Sequence, residues 1–122
     1  MEKRVLVIED EPNISEALRF ILTRNGWQVE VSADGQAALG RLQNDPPDLL
    51  ILDLMLPGIT GFDILRSLRS QSLTRDLPVL MLTAKGQAAD RVEAERLGVT
   101  RFMTKPFANA EVLAAVHAMA RA

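Results

Sequence analysis

Short, unbroken apolar runs constrain this chain most. Val5-Leu6-Val7-Ile8, Leu49-Leu50-Ile51-Leu52 and Val79-Leu80-Met81-Leu82 are too short for helices and lack the in–out alternation of a half-solvated strand. Runs of this kind suit strands buried on both faces of a parallel sheet. A weaker run holds Val29 and Val31 behind Trp27, and Phe102-Met103 is the last. Amphipathic stretches lie between them. Ile14, Leu18, Ile21 and Leu22 repeat with helical spacing, opened by Pro12 and closed by Gly26. Asp34 to Asn44 forms a second helix. Thr60-Gly61-Phe62-Asp63 reads as a capping box before a third, with Ile64, Leu65 and Leu68 inward. Gln87 to Leu97 makes a fourth, with Val92 and Leu97 inward, stopped by Gly98. Asn109 opens a fifth. Five strand–helix units in alternation predict an open, doubly wound α/β sheet.

At 122 residues there is room for one domain, expected to span 1–122. The chain has no cysteine, which excludes disulfide scaffolds, thiolate metal sites and cysteine nucleophiles. A net charge of −2 gives no global attraction to nucleic acid or to anionic membrane. Met1-Glu2-Lys3-Arg4 runs into a short strand ended by carboxylates, unlike a signal peptide or a membrane span, so the cytoplasm is the expected compartment.

The polar residues of interest share one location. Glu9 and Asp10 follow the first run, Asp53 the Leu49–Leu52 run, Thr83 the Val79–Leu82 run, and Lys105 the last. Taken alone, an Asp after a strand is usually a cap, a Thr a turn residue, and a Lys before Pro a solvated charge. Their joint occurrence at four strand ends is harder to assign to chance, because that edge of an open α/β sheet is where ligands bind. Three neighbouring carboxylates repel unless a cation joins them. Lys105 supplies one charge. With no His or Cys nearby, oxygen ligation points to Mg²⁺ or Mn²⁺ for the rest. A carboxylate beside such an ion can attack phosphorus, with the lysine and the Thr83 hydroxyl stabilising the phosphoryl oxygens.

In the stretches VLVIEDEP, PDLLILDLMLPGITG, LPVLMLTAKG and FMTKPF, the chain resembles response-regulator receiver domains of bacterial two-component signalling. Among them it is most similar to the receivers of winged-helix transcriptional regulators. The resemblance implies a flavodoxin-like fold with five parallel strands in the order 2-1-3-4-5 and five flanking helices. It implies Asp53 as phosphoacceptor, and Glu9, Asp10 and Asp53 as Mg²⁺ ligands with the Met55 backbone carbonyl. Thr83 takes the position of the switch hydroxyl, Ala84 the small position beside it, Lys105 the phosphoryl-binding lysine before a cis bond to Pro106, and Phe102 the aromatic switch. Met55 and Lys85 border the implied phosphoryl group and are expected to tune its hydrolysis. The implied donor is a histidine kinase or a phosphotransfer protein. Apart from self-phosphorylation and slow autodephosphorylation, no enzymatic turnover is implied.

The family's usual Gly-Ala-Asp-Asp-Tyr block reads Gly98-Val99-Thr100-Arg101-Phe102 here, and Ala114 and Ala115 stand where a basic residue is usual. Asp90, Arg91 and Glu111 remain of the charges that join the family's dimers. An output domain, a partner or a second copy is expected on the fourth-helix, last-strand and fifth-helix face, with no direct nucleic-acid or membrane contact. On the fifth helix, Val112, Val116, Met119 and Ala120 are expected to face the sheet, with Ala114, Ala115 and Ala118 outside.

Three other readings compete. An aspartate phosphatase of the haloacid-dehalogenase type would need an acid where Met55 stands. A pseudo-receiver would not need the complete Glu9, Asp10, Asp53, Thr83 and Lys105 set. A flavin site would be repelled by Asp10-Glu11 at the first strand's end. His117 and Trp27 are expected to be a surface residue and a packing residue.

Overall fold

The computed structural model describes residues 3–84 and 88–121. The elements run β1 (Lys3–Ile8), α1 (Pro12–Arg24), β2 (Trp27–Ser32), α2 (Gly35–Asn44), β3 (Leu49–Asp53), α3 (Gly61–Arg69), β4 (Val79–Thr83), α4 (Ala88–Arg96), β5 (Arg101–Thr104) and α5 (Asn109–Arg121). All strands are parallel, in the order β2-β1-β3-β4-β5. The apolar runs therefore fill the three central strands, as their lack of alternation demands.

Successive side chains on those strands point to opposite faces, so each run feeds two cores. Leu6, Ile8, Leu50, Leu52, Val79 and Met81 meet Ala38 and Leu42 of α2 and Ile64, Leu65 and Leu68 of α3. Val5, Val7, Leu49, Ile51, Leu80 and Leu82 meet Leu18 and Leu22 of α1, Val112, Val116 and Met119 of α5, and Trp27. Each fully buried leucine contributes about 1.5–3 kcal/mol relative to exposure.

Local signals set the boundaries. Pro12 occupies the first turn of α1, and Asp34 caps α2 through Gln36 and Ala37. Thr60 and Asp63 form the expected capping box, with the Asp63 N–H donating to Thr60 Oγ1 at 3.2 Å and the Thr60 N–H to Asp63 Oδ2 at 3.4 Å. Gly26 and Gly98 take the left-handed conformation at the ends of α1 and α4.

One inward and one outward assignment are corrected. Val92 is 63% exposed, and Ala94 is the buried residue of α4. Val92 lies about 200° around the helix from Ala94, so the two cannot share a face. Ala115 is buried against the second core rather than outside, beside Val112 and Val116, while Ala114 and Ala118 are exposed. Gln87, expected to open α4, lies outside the described residues.

Candidate functional site

The register carries the strand ends to one edge. Asp53 pairs with Leu82, and Thr83 with Thr104. Backbone bonds continue past the strands: the Glu9 N–H donates to Ser32 O at 3.0 Å, Leu54 to Leu82 O at 2.8 Å, and Lys105 to Thr83 O at 2.7 Å. The residues after each strand are thus held by the sheet itself.

Glu9, Asp10 and Asp53 each bring a carboxylate oxygen within 4.8 Å of the others. Glu9 and Asp53 are buried and Asp10 is exposed, so the cluster opens to solvent on the Asp10 side. Lys105 Nζ stands 2.8 Å from Glu9 Oε1, 3.4 Å from Asp53 Oδ2 and 3.5 Å from Glu11 Oε1. The Glu9 contact is an ion pair without hydrogen-bond alignment, which leaves Oε1 a buried acceptor with no aligned donor. Glu9 Oε2 accepts from the Glu11 N–H at 3.1 Å, and Asp53 Oδ1 from the Met55 N–H at 3.2 Å.

Burial pushes the Glu9 carboxyl above the ordinary carboxylate range; Lys105 opposes this, and Asp53 adds to it. For Lys105, burial works downward but is outweighed by Glu9, Asp53 and Glu11, so its ammonium is held above its ordinary value. One ammonium does not balance the three clustered carboxylates. An all-oxygen donor set with surplus negative charge fits a hard divalent cation.

Thr83 is fully buried at the end of β4, and Ala84 is exposed beside it. The Lys105–Pro106 peptide is cis. Met55 is 60% exposed at the mouth. A groove of about 460 Å³, lined by Ile14, Ala17, Ala84, Pro106 and Phe107, runs beside Lys105 and Glu11. Phe102 is not part of the cluster. It is half-buried on β5 against the first core, with the Arg91 guanidinium 4.9 Å from its ring centre. Lys85 lies outside the described residues. His117 is exposed on α5, and Trp27 is buried at 6% exposure.

Two participants carry no assigned role in the sequence reading. Glu11 shares the ammonium of Lys105; its position two residues after Glu9 is visible in the sequence, but its direction is not. Gly61 lies against the Asp53 backbone, and nothing in a helix-opening glycine reveals such an approach.

The sheet order and the acidic pocket at its carboxyl edge place the chain among doubly wound α/β domains whose site lies where the strand order reverses. The chain belongs to the response regulator receiver domain family of two-component signalling, whose profile matches residues 5–117. It is 42% identical over 121 residues to the phosphate regulon transcriptional regulatory protein PhoB of Escherichia coli K12, covering 99% of this chain and 53% of that protein. It is also 42% identical over 121 residues to the alkaline phosphatase synthesis transcriptional regulatory protein PhoP of Bacillus subtilis 168, covering 99% and 50%. The chain thus spans about half the length of these relatives. Among solved structures it is similar to the chemotaxis protein CheY4 of Vibrio cholerae, at TM-score 0.90 and 30% identity, covering 98% of this chain and 99% of that one. It is likewise similar to the receiver domain of the sensor histidine kinase PA1611 of Pseudomonas aeruginosa PAO1, at TM-score 0.91 and 26% identity over 100% of both chains; that structure has a magnesium ion coordinated in its active site cleft. The expected likeness to receivers of transcriptional regulators agrees with the first two relatives. Among the described residues, no helix is long and apolar enough to cross a membrane.

Proposed function

We propose that this chain is a phosphoryl-accepting switch in which Asp53 is the phosphoacceptor. The observation that carries the reading is the convergence of Glu9, Asp10 and Asp53 at the carboxyl edge of the sheet, with Lys105 against Glu9 and Asp53. In the transfer, an Asp53 oxygen attacks the phosphorus of a phosphohistidine on a kinase or phosphotransfer protein. The P–O bond to Asp53 forms as the P–N bond breaks, and the departing imidazole nitrogen takes up a proton. Glu9, Asp10, Asp53 and the Met55 carbonyl would hold Mg²⁺, or Mn²⁺, which when bound neutralises the clustered carboxylates and the phosphoryl oxygens. The Lys105 ammonium, already 3.4 Å from Asp53, pairs with a phosphoryl oxygen. The Thr83 hydroxyl takes a second, and the small Ala84 leaves the approach open.

Phosphorylation then shifts Thr83 and Phe102 and alters the α4–β5–α5 face. That face would govern an output domain, a partner protein or a second copy, as the transcriptional regulators among the relatives suggest. Met55 and Lys85 tune hydrolysis of the acyl phosphate. The span 1–122 acts as one receiver unit, in the cytoplasm, without catalysing turnover of an external substrate. Incubation with acetyl phosphate, with and without Mg²⁺, tests the reading by intact mass. A metal-dependent, base-labile gain of one phosphoryl group is expected, and no gain at saturating donor and metal would reject it.

A further inference from the structure

We infer that Gly61 is a positioning residue for the phosphoacceptor: its bare Cα seats the first turn of α3 directly on the Asp53–Leu54 backbone and so fixes the Asp53 carboxylate and the Met55 carbonyl. The inference rests on the reading of Asp53 given above. A Cβ at position 61 would lie 2.7 Å from Asp53 O, 2.9 Å from Leu54 Cα and 3.3 Å from Asp53 C. All three are backbone atoms, so no rotamer change relieves the overlap. The approach is also bonded, since the Gly61 N–H donates to Leu54 O at 2.9 Å.

Neither side can easily retreat. Ile64, Leu65 and Leu68 anchor α3 in the core with no exposed surface, and the Thr60–Asp63 capping box fixes its first turn. On the other side, β3 is hydrogen-bonded to both β1 and β4, and the Leu54 N–H is held by Leu82 O at 2.8 Å. The strain of an added methyl therefore emerges where the sheet pairing ends, in residues 53–55. There the Met55 N–H orients Asp53 through Oδ1 at 3.2 Å. Gly58, in the same loop, provides the contrast. Its φ of +83° makes any side chain strained, yet a Cβ there meets nothing within 4 Å. A substitution at Gly58 destabilises the loop without pressing on Asp53.

The test compares wild type, Gly61→Ala and Gly58→Ala, with folding checked by the fluorescence of Trp27 in the buried core at the far end of the sheet. Two quantities are read: the phosphorylation rate at saturating acetyl phosphate, and the Mg²⁺ concentration giving half the maximal thermal shift without phosphodonor. Because a misplacement of about 1 Å can cost on the order of 10²-fold, Gly61→Ala is expected to lose at least about tenfold in rate and Gly58→Ala less than about twofold. Gly61→Ala is also expected to raise the Mg²⁺ midpoint several-fold, with Gly58→Ala unchanged. Equal rates and midpoints for the two variants would overturn the inference while leaving the phosphoacceptor reading intact. A wild type that gains no phosphoryl group would instead sink that reading. If Gly61→Ala is unfolded, it is remeasured with Gly40→Ala, which adds a helix-favouring methyl in open space on α2. Failure to fold in that background also overturns the inference, because Gly61 would then serve the fold as a whole.

Discussion

Replacing Asp10 by Asn separates the electrostatics of the carboxylate cluster from its capacity for metal. Asp10 is exposed, has a carboxylate oxygen within 4.8 Å of oxygens of Glu9 and Asp53, and forms no ion pair among the described residues. Two unit charges at 4.8 Å repel by about 0.9 kcal/mol in water and by about 3.5 kcal/mol at an effective dielectric of 20. The open Asp10 side favours the lower figure. Repulsion from two carboxylates, partly offset by Lys105, leaves a net cost of about 1 kcal/mol in the metal-free wild type. In chelator, Asp10→Asn is therefore expected to be the more stable protein by that amount, which raises Tm by about 3–6 °C for a domain of this size. Magnesium reverses the order. At free Mg²⁺ about one hundred times its Kd, wild type is expected to gain about 2.7 kcal/mol, whereas the variant, lacking a proposed ligand, is expected to gain little. Denaturant titrations followed by Trp27 fluorescence, in chelator and in Mg²⁺, give both values. A variant less stable than wild type in chelator, or one that gains as much as wild type from Mg²⁺, would refute the reasoning.

Further outcomes follow from other parts of the structure. Arg69 donates to Gly98 O at 2.9 Å, Thr74 O at 3.2 Å and Arg75 O at 3.1 Å, pinning the α4–β5 turn to the end of α3; Arg69→Met is expected to cost about 1.5–3 kcal/mol and to speed amide exchange in residues 97–100. Asp63 is held below its ordinary value of 3.8 by the Thr60 hydroxyl and N–H and by Arg66. Because this folded-state value is lowered, its stabilisation is complete above the unfolded value and is lost as pH falls through the folded one. Asp63→Asn should accordingly flatten the acid limb of the stability–pH curve below about pH 4 and lower stability at neutral pH. Since α4 buries only Ala94, its amides are expected to exchange faster than those of α3, and phosphorylation to change exchange most across α4 and β5; a change confined to residues 53–58 would argue against the proposed route to the α4–β5–α5 face.

Much of this molecule was legible because a few residue patterns carry unambiguous physics. Runs such as Leu49–Leu52 cannot be half-solvated, so they had to be central, and Glu9 and Asp53 directly follow such runs. Parallel register then carries Glu9, Asp53 and Thr83 to one edge. The strand order and the cis bond at Pro106 came from the family resemblance, not from residue spacing. Where the reading failed, the residues were small or few. Ala115 gives no hydrophobic signal that separates an inner from an outer position. Val92 and Leu97 are five positions apart, about 140° around a helix, so they could not form one stripe. The face of α4 is instead set by Ala94 with half-buried Leu97 just beyond its end. The contact of Gly61 with Asp53 depends on how α3 docks on β3, which no local pattern encodes.

The most direct measurement of the central claim is chemical mapping of the modified side chain. Protein treated with acetyl phosphate and Mg²⁺ is reduced with borohydride, which converts an acyl phosphate to an alcohol, and is then digested and sequenced by mass spectrometry. Homoserine is expected in place of Asp53, dependent on both phosphodonor and Mg²⁺ and absent from Asp53→Asn. Reduction product at Asp10 or another carboxylate, with Asp53 unmodified in phosphorylated protein, would contradict it.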